Sequence, residues 1–175
     1  MDKYHYDYEP HITDDLDKKG LSQMPFVEMD IFKITLWKVA RVPHVSNEII
    51  EQLNKLATLQ NLNESADKEL TRKVLQELLQ CKGVRLPMAS TYLRFRNPNV
   101  FQILDRHVWH QVYPQEEEYK EIKDVDERIN IYFTYLEDLR KLAEKENVEY
   151  YESDRIFYIK DKNEGHKIGA IRKSV

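Results

Sequence analysis

Apolar side chains recur at spacings of three and four residues in five stretches of the chain, and polar residues separate these stretches. In chain order they are Ile31, Ile34 and Trp37; Ile49, Ile50, Leu53, Leu56 and Ala57; Leu70, Val74, Leu75, Leu78 and Leu79; Ala89, Tyr92 and Leu93; and Ile129, Tyr132, Phe133, Leu136, Leu139 and Ala143. This spacing is that of one face of an amphipathic helix. No credible strand ladder accompanies these stretches, so the pattern predicts an all-α fold of several short helices.

Helix boundaries are marked by residues that favour a start or a stop. Pro43 closes the first helical stretch, and Ser46 or Asn47 can cap the next. Pro87 suits the first position of a helix. Asp105 stands directly before the short helical pattern RHVWHQV.

The remaining segments divide the chain into three parts. Residues 1–24 read as a partly ordered arm, residues 25–160 as a single all-α domain, and residues 161–175 as a frayed tail. Within the domain, EEEYKEIKDVDE is typical of a solvated charge run. The aromatic segment YYESDRIFYIKD is expected to pack back as a short helix.

Composition narrows the class of protein. With 175 residues, 41% of them hydrophobic and 33% charged, the chain can bury a core. The single cysteine, Cys81, excludes a disulfide framework and any all-cysteine metal or iron–sulfur site, and it favours a reducing compartment. No apolar run approaches the roughly 20 residues needed to span a bilayer, and the N-terminus lacks an apolar signal core. We therefore expect a cytoplasmic protein without a membrane partner.

Residues 81–110 are rich in basic side chains, although the chain as a whole has a formal net charge of −4. Between Cys81 and His110 there is a single acid, Asp105. The basic residues of this window are Lys82, Arg85, Arg94, Arg96 and Arg106, with His107 and His110 beside them. A local basic face around one acid favours a polyanion partner, because binding depends on the charge of the contacting face and not on the total.

The same window carries a motif. Residues 81–89, CKGVRLPMA, place a glycine turn between two helical patterns, and Asp105 lies eighteen residues beyond Pro87 in the string DRHVWH. This arrangement resembles the helix-hairpin-helix DNA glycosylases, the superfamily of endonuclease III, MutY and the 8-oxoguanine glycosylases. Their hairpin reads roughly L-P-G-V-G-[RK]-x-[TM]-A, followed by an aspartate in V-D-x-H-V-x-R. The likeness is sharp over about 35 residues, and Trp37 and Arg41 extend it upstream.

The resemblance implies a chemistry. Asp105 corresponds to the family aspartate, which stabilises the oxocarbenium character of the sugar and orients or activates the attacking water. Pro87 stands where bifunctional members carry the lysine that attacks the sugar, so the implied enzyme is a monofunctional N-glycosylase. Arg85 replaces the second hairpin glycine. No iron–sulfur cluster or other cofactor is implied, and the implied partner is double-stranded DNA.

The hairpin and the helix after Asp105 supply the predicted DNA contacts. A glycine turn followed by a helix N-terminus directs unpaired amides at a phosphate. The predicted contact residues are Lys82, Gly83, Val84, Arg85, Met88, Arg106 and His107, and Arg94 is expected to add salt-sensitive attraction. The residues predicted to stack on a base that leaves the duplex are Trp37, Tyr92 and Trp109. Core packing is the competing interpretation for all three.

Simpler roles exist for several of these residues. Gly83 can terminate a helix, and Asp105 can cap residues 106–113, a role compatible with catalysis. His107 and His110 are three apart on one helical face, but no third ligand has convincing spacing, so a structural or phosphate-facing role is favoured over a metal site. Asp154 with Arg155 forms either a local ion pair or a surface site.

Three functions therefore compete. The first is a monofunctional DNA N-glycosylase that uses Asp105. The second is a non-catalytic helix-hairpin-helix protein that binds DNA or lesions, which the acidic total charge and the loss of the second hairpin glycine favour. The third is an all-α interaction protein in which Gly83 and Asp105 only cap helices.

Overall fold

A computed structural model describes residues 10–39, 43–116 and 119–165. The described residues form α-helices joined by loops and two short 3₁₀ turns, and they contain no β-strand. The helices are α1 Pro10–Leu21, α2 Glu28–Val39, α3 Asn47–Lys55, α4 Ser65–Gln80, α5 Leu86–Arg96, α6 Arg106–Val112, α7 Val125–Lys145 and α8 Ser153–Asn163. The all-α prediction is confirmed. No helix of the described part is long and apolar enough to cross a lipid bilayer.

The chain divides into two compact units, residues 1–44 and residues 45–175. The first unit contains α1 and α2. Lys19 Nζ lies 2.6 Å from the buried carboxylate of Asp30, whose other oxygen accepts a hydrogen bond from the Val27 amide at the start of α2. Residues 10–21 are thus helical within the segment that the sequence predicts to be a partly ordered arm.

The second unit has its core between α4 and α7, which pack on each other. Leu75 and Leu78 of α4 and Tyr132 and Leu139 of α7 are fully buried, as their helical spacing predicts. Burial of such side chains is the main stabilising contribution to a fold of this kind. The two longest helices thus form the frame on which α5, α6 and α8 are placed.

Helix α8 packs along α6. Its inward face consists of Ser153, Asp154, Phe157 and Asp161, all buried. The aromatic C-terminal segment therefore does pack back as a helix, and this helix ends at Asn163, three residues inside the predicted tail.

Two of the predicted caps are present. Ser46 Oγ accepts a hydrogen bond from the Ile49 amide at the start of α3, and Asp105 caps α6. Pro87 lies in the first turn of α5. Arg41, which extends the resemblance upstream, lies outside the described residues, as does the side chain of Trp37.

Candidate functional site

The turn between α4 and α5 is anchored to the core by the buried side chain of Val84. Gly83 has a φ of +90°, a backbone conformation that glycine adopts without strain. The Val84 amide donates to the Cys81 carbonyl at 3.1 Å, and the Val84 side chain is buried in the core. Lys82 and Arg85 are exposed on either side of it. Val84 is therefore a core residue of the turn, whereas Lys82 and Arg85 present charged side chains.

The main-chain amides of this turn and of the start of α5 differ in whether they donate a hydrogen bond. Those of Gly83 and Arg85 form no hydrogen bond within the described part of the chain. The Leu86 amide, at the N-terminus of α5, donates to Glu121 Oε1 at 3.3 Å. An internal carboxylate thus occupies a position at which a helix N-terminus binds anions.

Ser90 connects α5 to the segment that leads to Asp105. Its hydroxyl donates to the Pro87 carbonyl at 2.8 Å and accepts from the Leu104 amide at 3.0 Å. The buried hydroxyl of Tyr135 donates to the Ile103 carbonyl at 2.7 Å. These contacts fix the main chain before Asp105 relative to the first turn of α5.

Asp105 is half-buried and caps α6. Its Oδ1 accepts a hydrogen bond from the His107 amide at 2.8 Å, and its carbonyl accepts from the Trp109 amide at 2.7 Å. Its Oδ2 has no hydrogen-bond partner among the described residues. Asp105 therefore caps α6 through Oδ1, and its Oδ2 is available to another partner.

Asp105 and Pro87 line the same open cleft, of about 800 Å³. Arg85 of the turn and His107 of α6 also line it, as does Tyr158 of α8. The remaining lining residues are Leu104, Arg106, Tyr119, Lys120 and Glu121. Asp105 and Arg85 of the turn therefore line one cavity.

A second cleft, of about 470 Å³, shares Asp105 and Tyr158 with the first. Its walls are mostly apolar and come from Ile103, Val108 and Ile159. Tyr158 and Ile159 are exposed there on α8. Asp105 therefore stands between a polar, charged cleft and an apolar one.

His107 and His110 both bind the carboxylate of Asp161. Their Nδ1 atoms lie 2.6 Å from its two oxygens, and Gln111 Nε2 donates to Oδ1 at 3.0 Å. Burial alone raises the pKa of Asp161, but the hydrogen bonds from Gln111, His107 and His110 outweigh it and hold that pKa below its usual value. An ionised carboxylate only accepts, so each ring donates from Nδ1. This pairing supports the structural interpretation of the two histidines. Among the described residues, no group of three or more His, Cys, Asp or Glu is arranged to hold a metal ion.

Arg94 is not part of a basic surface, so the prediction that its side chain attracts DNA was wrong. Its side chain is buried, with Nε 3.2 Å from Asp154 Oδ2 and Nη2 donating to the Tyr151 carbonyl. Asp154 accepts from the main-chain amide of Arg155, at 2.8 Å. The described ion pair of Asp154 is therefore with Arg94 and not with Arg155.

Two of the three predicted stacking residues, Trp109 and Tyr92, do not line this cleft. Trp109 is 9% exposed and packs in an aromatic cluster, with ring centroids 4.5 Å from Tyr113, 5.4 Å from Tyr119 and 6.1 Å from Tyr135. Tyr92 packs half-buried against the core. Neither side chain lines the two clefts at Asp105 in the described part of the chain. Both fit the competing interpretation of core packing.

The aromatic residues that do line the cleft were not predicted. Tyr158 contacts His107 edge-to-face, with centroids 5.0 Å apart. Tyr119 is buried, although it lies in the segment expected to be a solvated charge run. That expectation was wrong for Tyr119 and for the half-buried Glu121. A lone tyrosine among glutamates and lysines was the available signal.

Glu121 joins three elements. Besides the Leu86 amide, Arg128 Nη1 of α7 lies 2.7 Å from Oε1, and the Tyr119 hydroxyl donates to Oε2 at 3.2 Å. Burial and the neighbouring Glu121 raise the pKa of Tyr119 far above its usual value. Tyr119 therefore remains a hydroxyl donor throughout the neutral range.

Cys81 stays a thiol at neutral pH. Burial, reinforced by Glu77, raises its pKa, and its Sγ contacts the Glu77 carbonyl at 3.4 Å. A protonated thiol is a poor nucleophile. Cys81 is therefore a packing residue, half-buried against the core, and not a nucleophile.

Comparison of the chain with protein-family models, with curated proteins and with solved structures finds no match.

Proposed function

We propose that this protein is a monofunctional DNA N-glycosylase in which Asp105 assists the removal of a damaged or modified base. The observation that carries the proposal is the cleft that Asp105, Pro87 and Arg85 line together. A carboxylate with one unpartnered oxygen in such a cleft can stabilise positive charge on a sugar. It can also orient or deprotonate the attacking water.

The turn between α4 and α5 supports the DNA part of the proposal. The unpartnered amides of Gly83 and Arg85 suit a backbone phosphate, and the exposed Lys82 and Arg85 add attraction that salt weakens. Arg106 and Lys120 line the adjoining cleft. Met88 is exposed in the first turn of α5. These residues would hold duplex DNA without reading its sequence.

Pro87 supports a monofunctional reaction, because it stands where the resemblance places the lysine of bifunctional members. A bifunctional glycosylase needs an amine at this position to form a Schiff base with the sugar, and proline has none free. Water must then be the nucleophile, and the product is an abasic site with an intact backbone. Tyr158, exposed at the junction of the two clefts, can stack on the extruded base.

The test is a panel of duplexes, each carrying one damaged or modified base, incubated with the wild-type protein. Released base is measured directly, and alkali cleavage reveals abasic sites. We expect release of at least one base, without strand cleavage before the alkali step. A folded protein that binds duplex DNA and releases no base from a broad panel contradicts the enzymatic part of the proposal.

A second candidate is a non-catalytic DNA-binding protein of the same type, and the capping role of Asp105 favours it. Its Oδ1 accepts a hydrogen bond from the His107 amide, which gives this aspartate a structural role that requires no chemistry. For this candidate, Asp105→Asn leaves both DNA affinity and its salt dependence unchanged, and no base is released.

A further inference from the structure

The carboxylate of Glu121 lies at the α5 N-terminus, next to the turn to which the proposed function assigns a DNA phosphate. Its Oε1 receives the Leu86 amide at 3.3 Å and Arg128 Nη1 at 2.7 Å, and its Oε2 receives the Tyr119 hydroxyl at 3.2 Å. One carboxylate therefore accepts from one main-chain donor and two side-chain donors, and both Glu121 and Tyr119 line the cleft.

These donors suit a phosphodiester as well as a carboxylate, since both ligands present anionic oxygen acceptors. An amide has a single hydrogen, so the two acceptors compete for Leu86. The side chain of Glu121 is 21% exposed, which gives an incoming ligand access to it. The cleft beside it is lined by Arg85, Arg106 and Lys120.

The donors can remain in place without Glu121. Arg128 also donates from Nε to the Asp124 carbonyl at 3.3 Å and from Nη2 to the Lys123 carbonyl at 3.4 Å. Tyr119 is buried against Trp109. Rotation of the Glu121 side chain is therefore enough to free the site, and no helix has to move.

We propose that Glu121 is an intramolecular competitor of DNA, which occupies the α5 amide in the free protein and is displaced by a backbone phosphodiester. The inference rests on the proposed function, because that function places a phosphate at this turn. It adds an autoinhibitory contact: a DNA phosphate has to displace the protein's own carboxylate from the Leu86 amide. Affinity for DNA is then lower than the cationic residues of the cleft would give alone.

The experiment measures the binding of a fluorescent duplex of random sequence at low salt by anisotropy. Glu121→Gln removes the charge and keeps the shape. Glu121→Asp keeps the charge and shortens the side chain, so that its carboxylate no longer reaches Leu86. Glu144→Gln, at an exposed position near the far end of α7, makes the same charge change away from the cleft. Thermal unfolding identifies variants that retain the fold.

We expect both Glu121 variants to bind about tenfold more tightly than wild type, the size of one charge-assisted hydrogen bond. Glu144→Gln should stay within about twofold of wild type, since an exposed charge is screened. Equal affinities for Glu121→Gln and Glu144→Gln, with Glu121→Asp equal to wild type, overturn the inference and leave the proposed function standing. Weaker binding by folded Glu121 variants overturns it as well. No DNA binding by any of the four proteins rejects the proposed function together with the inference.

Discussion

The hydroxyl of Ser90 accepts a hydrogen bond from the main-chain amide of Leu104 at 3.0 Å, deep in the core. The same hydroxyl donates to the Pro87 carbonyl at 2.8 Å. One side chain thus sets the distance between the first turn of α5 and the residue that precedes Asp105. The shared cleft depends on this link.

Replacement of Ser90 by alanine tests the link. Ser90→Ala leaves the buried Leu104 amide without an acceptor, so we expect the free energy of unfolding to fall by about 1–3 kcal/mol. Thr91→Val is the matched control: it also removes a hydroxyl that donates to the Pro87 carbonyl, but that carbonyl keeps its bond from Ser90. Chemical denaturation measures both variants. Equal losses would mean that the bond to Leu104 contributes nothing specific.

Asp161 should make the stability of the second unit sensitive to acid. Its pKa in the folded protein is lowered from 3.8, so its contribution is present above that value and is lost as the pH falls through the lowered pKa. We expect Asp161→Asn to lower the free energy of unfolding by about 2 kcal/mol at pH 7, and the difference from wild type to shrink below about pH 4.

Glu164→Gln is the control for this prediction. Glu164 is exposed and accepts a hydrogen bond from Gln111, which also donates to Asp161. An exposed partner of this kind contributes less than about 0.5 kcal/mol. Urea denaturation across the acidic range separates the two variants. A difference between wild type and Asp161→Asn that does not change with pH would contradict the assignment.

The buried ion pair of Arg94 and Asp154 should be important for the free energy of unfolding. Asp154→Asn leaves the guanidinium of Arg94 buried without a counter-charge, which costs about 3 kcal/mol. Asp126→Asn removes an exposed carboxylate 3.6 Å from Arg72 and should change stability by less than about 0.5 kcal/mol. Thermal or chemical unfolding measures both. Similar small effects would mean that Arg94 reaches solvent when its partner is lost.

Gly83 and Gly20 should respond in opposite directions to alanine. Gly83 has a positive φ, and no atom lies within 4 Å of an added Cβ, so Gly83→Ala is opposed by backbone strain alone, about 1 kcal/mol. Gly20 lies within α1 with open space around it, and Gly20→Ala should stabilise that helix by about 0.5–1 kcal/mol. Unfolding monitored by circular dichroism checks both signs. A stabilising Gly83→Ala would show that the turn relaxes to a negative φ.

Local patterns predicted much of the fold. The spacing of Leu75 and Leu78 in α4, and of Tyr132 and Leu139 in α7, reflects the helix period itself, and so does not depend on where the helices pack. The cap at Asp105 is equally local, because its Oδ1 binds an amide two residues away.

The surroundings of the site were not predictable in this way. Asp161 meets His107 across 54 residues, and Glu121 meets Leu86 across 35. Such pairs depend on how α8 and the segment before α7 pack, which no short-range spacing encodes. The sequence window around Asp105 contains one acid, but in the folded chain acids from distant segments also pair with its basic residues. Tyr158 was missed because its helix position becomes informative only once α8 lies against α6.

The central claim is that Asp105 performs chemistry in addition to capping α6, and Asp105→Asn separates the two roles because asparagine also caps well. Asp124→Asn is the matched control, since Asp124 caps α7 in the same way, with Oδ1 2.7 Å from the Glu127 amide. The measurement is single-turnover base release from a duplex that the wild-type protein processes, with DNA affinity determined in parallel. We expect Asp105→Asn to keep wild-type affinity and to lose about 100-fold or more in rate, with Asp124→Asn unchanged in both. An Asp105→Asn protein that binds DNA and releases the base at the wild-type rate would contradict the claim.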